Sequence, residues 1–235
     1  MNDKQLVAIT AASQVQDGMI VGLGTGSTAN YFIEELARRQ REEGLNIRAA
    51  ASSVVSGIKA EQLGLPLIAL EHLSSIDLYV DGADEVSPDL TLLKGRGYDL
   101  VREKLLARAA RQFVVLVDRS KQVGRIGEKF PIPVEVMPAA WRLVQASLQA
   151  SFQTLGGRAE LRQNAAKDGW AITSHGSLVL DLVFEAVADQ QPETHWLNQQ
   201  LNNIPGVVEH GIFVDLASTV LLADNGKLEE IRKPA

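Results

Sequence analysis

The sequence predicts an α/β fold: a Rossmann-like, mainly parallel sheet with helices on both faces, together with a smaller ferredoxin-like α+β domain. Three observations support this prediction. Short apolar runs alternate with amphipathic helical segments through the first half of the chain, and the pattern changes at the proline-rich stretch FPIPVEVMP (130–138). The sequence then closes with two strand-like runs around Asn225-Gly226. Strands that alternate with helices are typical of a parallel sheet covered on both faces.

The bulk composition is that of a globular protein. The 235 residues are 46% hydrophobic and 22% charged, and their net charge of −6 gives no basic footprint for nucleic acid. The absence of cysteine excludes disulfides, thiolate catalysis and cysteine metal ligands. The N-terminus lacks a signal-peptide pattern, and no apolar run reaches the ~20 residues of a membrane span. We therefore expect a cytoplasmic protein that binds neither nucleic acid nor membrane.

The first predicted unit is a strand, a glycine turn and a helix. The strand is MIVGL (19–23), and GTGST follows it directly. The next apolar residues have the spacing of one helix face, and Gly44 is a plausible end for that helix. They are Ala29, Phe32, Ile33, Leu36 and Ala37.

The alternation continues along the chain. Ser52 and Ser53 are candidate caps for a helix over about 54–63, which Gly64 closes. A further helix is predicted in YDLVREKLLARAARQ. The predicted strands around these helices are IRAAA (around 48–51), PLIAL (66–70), IDLYV (76–80), LTLLK (90–94) and FVVLVD (113–118).

A second domain is predicted after residue 130. Two prolines in FPIPVEVMP are expected to interrupt its strand and to mark a boundary. A helix (139–155), the strand RAELRQ, a hairpin around His175-Gly176, a helix (193–203) and the strand VVEHGIFV follow. This is the element order of a split-βαβ, ferredoxin-like module. We therefore predict a catalytic Rossmann-like domain of residues 1–130 and 207–235, to which the terminal hairpin returns, and a small domain of residues 131–206.

The glycine turn between Gly22 and Thr28 leaves several hypotheses open. A strand that leads into a helix N-terminus presents free N–H groups that suit phosphate. A P-loop would need a Gly-Lys-Ser/Thr ending, and no lysine is present. A dinucleotide site would need an acid after the second strand, where this chain has Ala51-Ser52-Ser53. A small phosphorylated metabolite, or a plain capped turn, fits the same residues.

Acidic and basic residues follow two later strands. Asp81, Asp84, Glu85 and Asp89 lie within nine residues, and Lys94 ends the run LTLLK. If all these strands belong to one parallel sheet, their carboxyl ends meet the glycine turn at the ligand-binding edge. The acids fit a solvated turn, a Mg²⁺ site or a site that moves protons. The four histidines show no ligand spacing, so we expect no zinc centre.

Together these motifs resemble the type A ribose-5-phosphate isomerase family. The motifs are GTGSTA (24–29), DGADE (81–85), KGxG (94–97) and REK (102–104), in that order. FPIPVEVMP and NNIPGVVEHGIF resemble the entry to and exit from that family's small domain. The resemblance runs over essentially the whole chain. It implies interconversion of ribose 5-phosphate and ribulose 5-phosphate, a step of the non-oxidative pentose phosphate pathway, without cofactor or metal.

The resemblance also implies a set of site residues. Glu103 matches the proton acceptor, and Asp81, Asp84 and Lys94 are expected to share the chemistry. Lys4 is expected to help bind the phosphate. The remaining substrate-binding positions are Thr25, Gly26, Ser27, Thr28, Gly82, Ala83, Gly95, Arg96, Gly97 and Lys121. We further expect a homodimer or homotetramer.

Arg96 departs from the family pattern because it interrupts a turn that is usually a run of glycines. It points away from the substrate, which we favour, binds an anionic group of the substrate, or narrows the pocket. Two alternatives to the isomerase therefore remain. One is a sugar-phosphate-binding regulator, and the other is an enzyme that acts on a related phosphosugar or by acyl-CoA transfer on a similar scaffold.

Overall fold

The computed structural model describes residues 2–184 and 192–233. The α-helices of this part are α1 (Asp3–Ser13), α2 (Ser27–Glu43), α3 (Val54–Gln62), α4 (Leu100–Ala109), α5 (Trp141–Phe152) and α6 (Thr194–Asn202). The strands are β1 (Ile20–Leu23), β2 (Arg48–Ala51), β3 (Ile76–Gly82), β4 (Glu85–Val86), β5 (Leu92–Leu93), β6 (Ala110–Asp118), β7 (Ile132–Val136), β8 (Gly157–Leu161), β9 (Leu178–Phe184), β10 (Val207–His210), β11 (Ile212–Phe213), β12 (Thr219–Asp224) and β13 (Lys227–Arg232).

The described residues form two compact units. The first comprises Met1–Ala83, Arg102–Gln122 and Asp215–Ala235, as far as these are described. The second comprises Asp84–Val101 and the described part of Val123–Val214. The second unit thus includes the segments 84–101, 123–130 and 207–214. The sequence had assigned these segments to the larger domain. The division of the chain into a catalytic domain and a small domain stays a prediction.

A six-stranded sheet forms the centre of the first unit. Its strand order is β13-β12-β6-β3-β1-β2, and every neighbouring pair is parallel except the β12–β13 hairpin. The predicted hairpin at Asn225-Gly226 is confirmed, and β12 pairs with β6. The predicted stripe of α2 is also confirmed: Phe32, Ile33 and Leu36 are fully buried in the core of this unit. Gly44 ends α2 in the left-handed conformation that glycine tolerates.

The predicted split-βαβ module is confirmed in the second unit. The elements β7, α5, β8, β9, α6 and β10 follow in the expected order and form an antiparallel sheet of order β10-β7-β9-β8. The apolar face of α5, with Val144, Leu148 and Phe152, is buried in the core of this unit. The prolines do not interrupt the first strand, because β7 continues through Pro133 and pairs with β9 and β10.

A small antiparallel sheet, of order β11-β5-β4, was not foreseen. The sequence placed LTLLK in the parallel sheet, but β5 covers only Leu92 and Leu93 and pairs with β4 and β11. Lys94 therefore does not follow a strand of the parallel sheet, and that step of the sequence argument was wrong. The predicted strand VVEHGIFV divides at Gly211 into β10 and β11, which belong to different sheets.

The structure differs from the sequence predictions at two further places, a predicted strand and a helix that was not predicted. PLIAL forms a single bridge between Leu67 and Ala49 and then a 3₁₀ turn at Leu70–His72, rather than a full strand. Helix α1 was missed because its apolar residues form only a weak stripe. Its N-terminus is nevertheless well capped, since the Asn2 side chain accepts from the Gln5 N–H and the Gln5 side chain binds the Asn2 N–H.

Candidate active site

The predicted site residues divide between the two units. Those in the first unit are Lys4, Thr25, Gly26, Ser27, Thr28, Asp81, Gly82, Ala83, Glu103 and Lys121. Those in the second are Asp84, Lys94, Gly95, Arg96 and Gly97.

The glycine turn lies directly against the end of β3. The Gly24 N–H donates to the Val80 carbonyl at 2.9 Å, and the Thr25 N–H donates to Asp81 Oδ1 at 3.0 Å. A Cβ on Gly24 would lie 2.2 Å from Asp81 Oδ1 and 2.6 Å from its Cα, so no larger residue fits. The glycine at this position therefore serves the close approach of the turn to the Asp81 carboxylate.

The side chain of Thr25 belongs to a cluster of hydroxyl groups. Its Oγ1 lies 2.7 Å from Ser53 Oγ and 3.0 Å from both Ser52 Oγ and Ser56 Oγ. Ser56 in turn donates to the Gly24 carbonyl at 2.7 Å, and the three serines are almost fully buried. The Thr25 hydroxyl thus joins the glycine turn to the start of α3, and the exposed part of the turn begins at Gly26.

The N-terminus of α2 has the features expected of an anion site. Gly26, with φ of 104°, is its N-cap and provides no side-chain hydrogen bond. The N–H groups of the first turn of a helix have no partner within the helix and carry the positive end of its dipole. Ser27 is exposed, and its Oγ accepts from Lys4 Nζ at 2.8 Å. The predicted partners Lys4 and Ser27 are therefore brought together here.

The carboxylate of Asp81 is buried and receives several donors. Besides the Thr25 N–H, Oδ1 accepts from the Gly82 N–H at 2.8 Å, and Oδ2 accepts from the Tyr79 hydroxyl at 2.5 Å. Burial and the negative charges of Asp81 and Glu103 raise the pKa of Tyr79 well above its ordinary value. Tyr79 is therefore a neutral hydrogen-bond donor to Asp81 throughout the physiological pH range.

Glu103 lies in the first turn of α4 and is 7% exposed. Its charge contributes to the raised pKa of Tyr79, which places it in the electrostatic neighbourhood of Asp81. A buried glutamate is uncommon unless it is paired or functional. The structure therefore contradicts the interpretation of Glu103 as an ordinary helix-surface residue. Lys121 ends a 3₁₀ turn after β6 and is half-buried.

Lys94 is buried in the second unit, with 4% exposure. Its N–H donates to the Gly211 carbonyl at 2.9 Å, and its ammonium group lies 5.8 Å from the centre of the Phe213 ring. Gly95 follows with φ of 94°, and a Cβ there would lie 3.0 Å from the Pro133 side chain. The lysine turn is therefore a closely packed structure, in which only Arg96, Gly97 and Tyr98 are exposed.

Asp84 and Arg96 are adjacent in the same unit. The Arg96 N–H lies 3.4 Å from Asp84 Oδ2, and the Asp84 N–H donates to the Leu93 carbonyl at 2.8 Å. The exposed guanidinium group of Arg96 lies 4.1 Å from the centre of the Phe130 ring, at cation–π distance. This contact favours the hypothesis that Arg96 does not take part in the chemistry.

The acidic run is not one cluster of proton-transfer groups, as the sequence suggested. Glu85 is fully buried, and its carboxylate accepts from the N–H groups of Gly127, Lys129 and Phe130 at 2.6–2.8 Å. Asp89 accepts from Ser87 and from Thr91 within its own turn. Burial opposes ionisation of Asp89, but these hydrogen bonds outweigh it and lower its pKa. Both side chains thus stabilise the backbone, and Asp81 and Asp84 remain as candidates for chemistry.

No group of three or more His, Asp or Glu side chains within residues 2–184 and 192–233 has the arrangement of a metal site. Among the helices of these same ranges, none combines the length and the apolar character that crossing a bilayer requires.

Comparison with known proteins identifies the family. The sequence model of ribose 5-phosphate isomerase A (phosphoriboisomerase A) matches residues 48–227. A curated relative named ribose-5-phosphate isomerase A, from Methanothermobacter thermautotrophicus, is 44% identical over 233 residues, which cover 99% of this chain and 98% of the relative. The chain belongs to the ribose 5-phosphate isomerase A family. The family name denotes an aldose–ketose isomerase, so the family resemblance inferred from the motifs is confirmed.

Solved structures agree with the family assignment. The ribose 5-phosphate isomerase A of Methanocaldococcus jannaschii has a TM-score of 0.88 at 40% identity, with 98% of each chain covered. A D-ribose-5-phosphate isomerase in complex with phospho-erythronic acid has a TM-score of 0.89 at 35% identity, covering 99% of this chain and 100% of that one. The predicted fold class, a mainly parallel sheet with helices and a smaller α+β unit, is confirmed.

The sequence analysis did not identify two residues that contact the candidate active site, Tyr79 and Ser56. Tyr79 was counted only as part of an apolar strand, and Ser56 was not singled out. The spacing of Ser52, Ser53 and Ser56 at the start of a helix could have indicated the hydroxyl cluster, since Ser52 and Ser53 were already candidate caps. Nothing in the local sequence indicated that the Tyr79 hydroxyl would bind Asp81.

We predict that Glu85→Gln lowers the free energy of unfolding by about 1.5–3 kcal/mol, because three N–H groups lose a buried charged acceptor. Chemical denaturation checks this value. Glu160→Gln, on the exposed side of β8, is the control and should change the stability by less than about 0.5 kcal/mol. A Glu85→Gln protein of wild-type stability that lost isomerase activity would instead place Glu85 in the chemistry.

We predict that Arg96→Gly changes kcat/KM for ribose 5-phosphate by less than about threefold, since the Phe130 contact that it loses is exposed and worth little. Steady-state kinetics with ribose 5-phosphate and with free ribose checks this. If KM for ribose 5-phosphate rose about tenfold while the reaction with ribose was unaffected, the guanidinium group would be a phosphate ligand.

Proposed function

We propose that the protein interconverts ribose 5-phosphate and ribulose 5-phosphate, the aldose–ketose isomerisation of the non-oxidative pentose phosphate pathway. The observation that carries this proposal is the retention of buried Glu103 and buried Lys94 in a chain that matches isomerase A relatives over nearly its whole length. A binding protein without turnover would have no need to keep both charges out of water.

The reaction moves a proton between C2 and C1 of the open-chain sugar. In the aldose-to-ketose direction, the Glu103 carboxylate takes the proton from C2, and the electron pair moves onto the aldehyde oxygen to give an enediolate. A proton passes from the C2 hydroxyl to the oxyanion at C1, and the carboxyl group returns its proton to C1, which yields the ketose with a carbonyl at C2 and a hydroxyl at C1. Lys94, with the N–H groups of 95–97, stabilises the oxyanion, a role that buried cations and fixed backbone donors perform well.

Ring opening has to precede isomerisation, because the substrate rests mainly as a cyclic hemiacetal. It requires that one proton leaves the C1 hydroxyl and another reaches the ring oxygen. Asp81 or Asp84 is our candidate for this transfer. The Asp81 carboxylate accepts hydrogen bonds from the Tyr79 hydroxyl and from the Thr25 N–H, which fix its orientation. Asp84 is half-buried and follows the same acidic turn.

The substrate phosphate is expected at the N-terminus of α2. The exposed Gly26 and Ser27, the half-buried Thr28, and Lys4 on α1 provide N–H groups, hydroxyls and a positive charge. Binding energy from this non-reacting group can hold C1 and C2 in the reactive geometry. We propose that Lys121 adds a second cation and that Gly82, Ala83 and Gly95 bind through their backbone.

We further propose that the protein acts in the cytoplasm as a homodimer or homotetramer. Its partner is a small phosphosugar, and it binds neither nucleic acid nor membrane. Light scattering on the purified protein checks the assembly state.

The proposed function is tested by giving ribose 5-phosphate to the purified, chelator-treated protein and measuring the appearance of ketose. Turnover without added metal supports the proposal. Binding of ribose 5-phosphate without turnover would favour a sugar-phosphate-binding regulator. Activity that appears only with added Mg²⁺ would make the carboxylates metal ligands, against the proton-transfer mechanism.

We predict that Glu103→Gln lowers kcat by about 10²–10⁴-fold while ligand binding is largely retained, because the amide keeps the shape but cannot accept the proton. Initial rates and calorimetric binding measure the two effects separately. Glu61→Gln, on the exposed side of α3, is the control. Near wild-type turnover of the Glu103 variant would remove this residue from the role of base.

We predict that replacing Ser27 and Thr28 together by alanine reduces kcat/KM for ribose 5-phosphate and leaves the weak reaction with free ribose nearly unchanged. The reason is that ribose has no phosphate for these hydroxyls to bind. Parallel assays with both sugars test this. An equal loss with both substrates would mean that the turn positions the sugar or the fold instead.

A further inference from the structure

The turn that carries Lys94 is held by a charged side chain from the neighbouring sheet of the same unit. Arg162 follows β8 directly, and its Nη1 donates to the carbonyl of Gly95 at 2.8 Å. We propose that Arg162, oriented by Asp181, is a positioning residue for Lys94. The proposal rests on the proposed isomerase function and extends it to residues that the motifs did not indicate.

The guanidinium group of Arg162 is fixed on its other edge. Nε lies 3.1 Å and 3.0 Å from the two oxygens of Asp181, and Nη2 lies 2.5 Å from Asp181 Oδ1. The side chains of Arg162 and Asp181 are 13% and 25% exposed, respectively. A two-pronged pair of this kind fixes both the place and the plane of the arginine, which a lysine at the same position would not do.

The backbone of Arg162 is equally well placed. Its N–H donates to the Val179 carbonyl, and its own carbonyl accepts from the Ala171 N–H, both at 2.9 Å. The guanidinium group therefore extends from a backbone position, at the end of β8, that is hydrogen-bonded on one side to β9 and on the other to Ala171. The Asp181 carboxylate neutralises its charge, so Arg162 suits the orientation of a carbonyl better than direct binding of an anionic substrate.

The contact at Gly95 completes a set of restraints on both sides of Lys94. The Lys94 N–H binds the Gly211 carbonyl, and the carbonyl of the following residue, Gly95, binds Arg162. Gly95 is buried, with φ of 94° in the left-handed region that favours glycine, and a Cβ there would lie only 3.0 Å from the Pro133 side chain. Loss of Arg162 would leave a buried carbonyl without its charged donor. The peptide group between Gly95 and Arg96 would then be free to rotate, and the backbone that carries Lys94 would lose one of its restraints.

A double-mutant cycle tests whether Arg162 acts through Lys94. We expect Arg162→Gln to lower kcat by about 10–100-fold with KM changed by less than about threefold, because a misplaced catalytic group costs turnover more than binding. In the Lys94→Ala background the same substitution should have an effect of less than about threefold, since the group that it positions is already absent. An equal loss in both backgrounds would overturn the proposal.

Two further variants keep the test independent of folding defects. Asp181→Asn retains one acceptor for Arg162 and should give a smaller loss of kcat than Arg162→Gln. Arg162→Lys keeps the charge but loses the two-pronged pair, and it should not restore wild-type turnover. Arg142→Gln, an exposed arginine on α5 of the same unit, is the matched control and should leave kcat unchanged. Full activity of Arg162→Lys would argue against an orienting role.

Amide hydrogen exchange provides a readout that does not depend on turnover. In Arg162→Gln the segment 94–97 should exchange faster than in the wild type, while the peptides of α5 should not change. Unchanged exchange in 94–97 would overturn the proposal. If the wild-type protein failed to isomerise ribose 5-phosphate, the proposed function would fall, whereas the exchange experiment would still decide whether Arg162 holds the turn.

Discussion

The buried carboxylate of Asp81 is the interaction on which the first part of the site depends. A buried charged group is tolerated only when hydrogen bonds from the protein replace those that it made to water. Asp81 obtains them from the N–H groups of Thr25 and Gly82 and from the Tyr79 hydroxyl. Because one of these donors belongs to the turn after β1, the carboxylate joins the ends of two neighbouring strands. The conformation of the glycine turn follows from this contact, and Gly24 is required by it.

The same physical rule organises the second unit, with different residues. Irregular segments leave backbone groups that no strand or helix satisfies, and buried charged side chains bind them. Glu85 accepts from three N–H groups of the segment 127–130, and Arg162 donates to the carbonyl of Gly95. Glu85, which belongs to the acidic run singled out in the sequence, thus serves the backbone rather than the proposed chemistry. Arg162 serves the backbone of the turn that carries Lys94.

The sequence could predict what depends on local pattern. The stripe of α2 and the hairpin at Asn225-Gly226 follow from spacing within a single segment, and both are confirmed. The glycine turn and Asp81 were expected together because consecutive parallel strands end at one edge of a sheet, and β1 and β3 are indeed neighbours. The catalytic and binding roles of these residues stay predictions, since hydrogen bonds alone do not assign chemistry.

The failures share a different cause. The strand β5 is two residues long and is defined by its partners β4 and β11, one of which lies more than a hundred residues away in the chain. No local pattern encodes such a partner. Glu85 was grouped with Asp81 and Asp84 because they are close in sequence, but its donors come from 127–130. Proximity along the chain was mistaken for proximity in the fold.

The capping of the helices shows where this acidic protein offers a locally positive site of the kind that the proposed phosphate binding requires. Helices α1, α3 and α6 begin with side-chain caps from Asn2, Ser53 and Glu193, which offset the positive end of each helix. Helix α2, like α5, begins with no side-chain cap and no acid in its first turn, but at α2 Lys4 adds a further positive charge beside Ser27. The positive end of α2 and the Lys4 ammonium group repel each other, and a bound anion would relieve this repulsion. The net charge of −6 is therefore compatible with phosphate binding, because affinity depends on this local imbalance rather than on the charge of the whole chain.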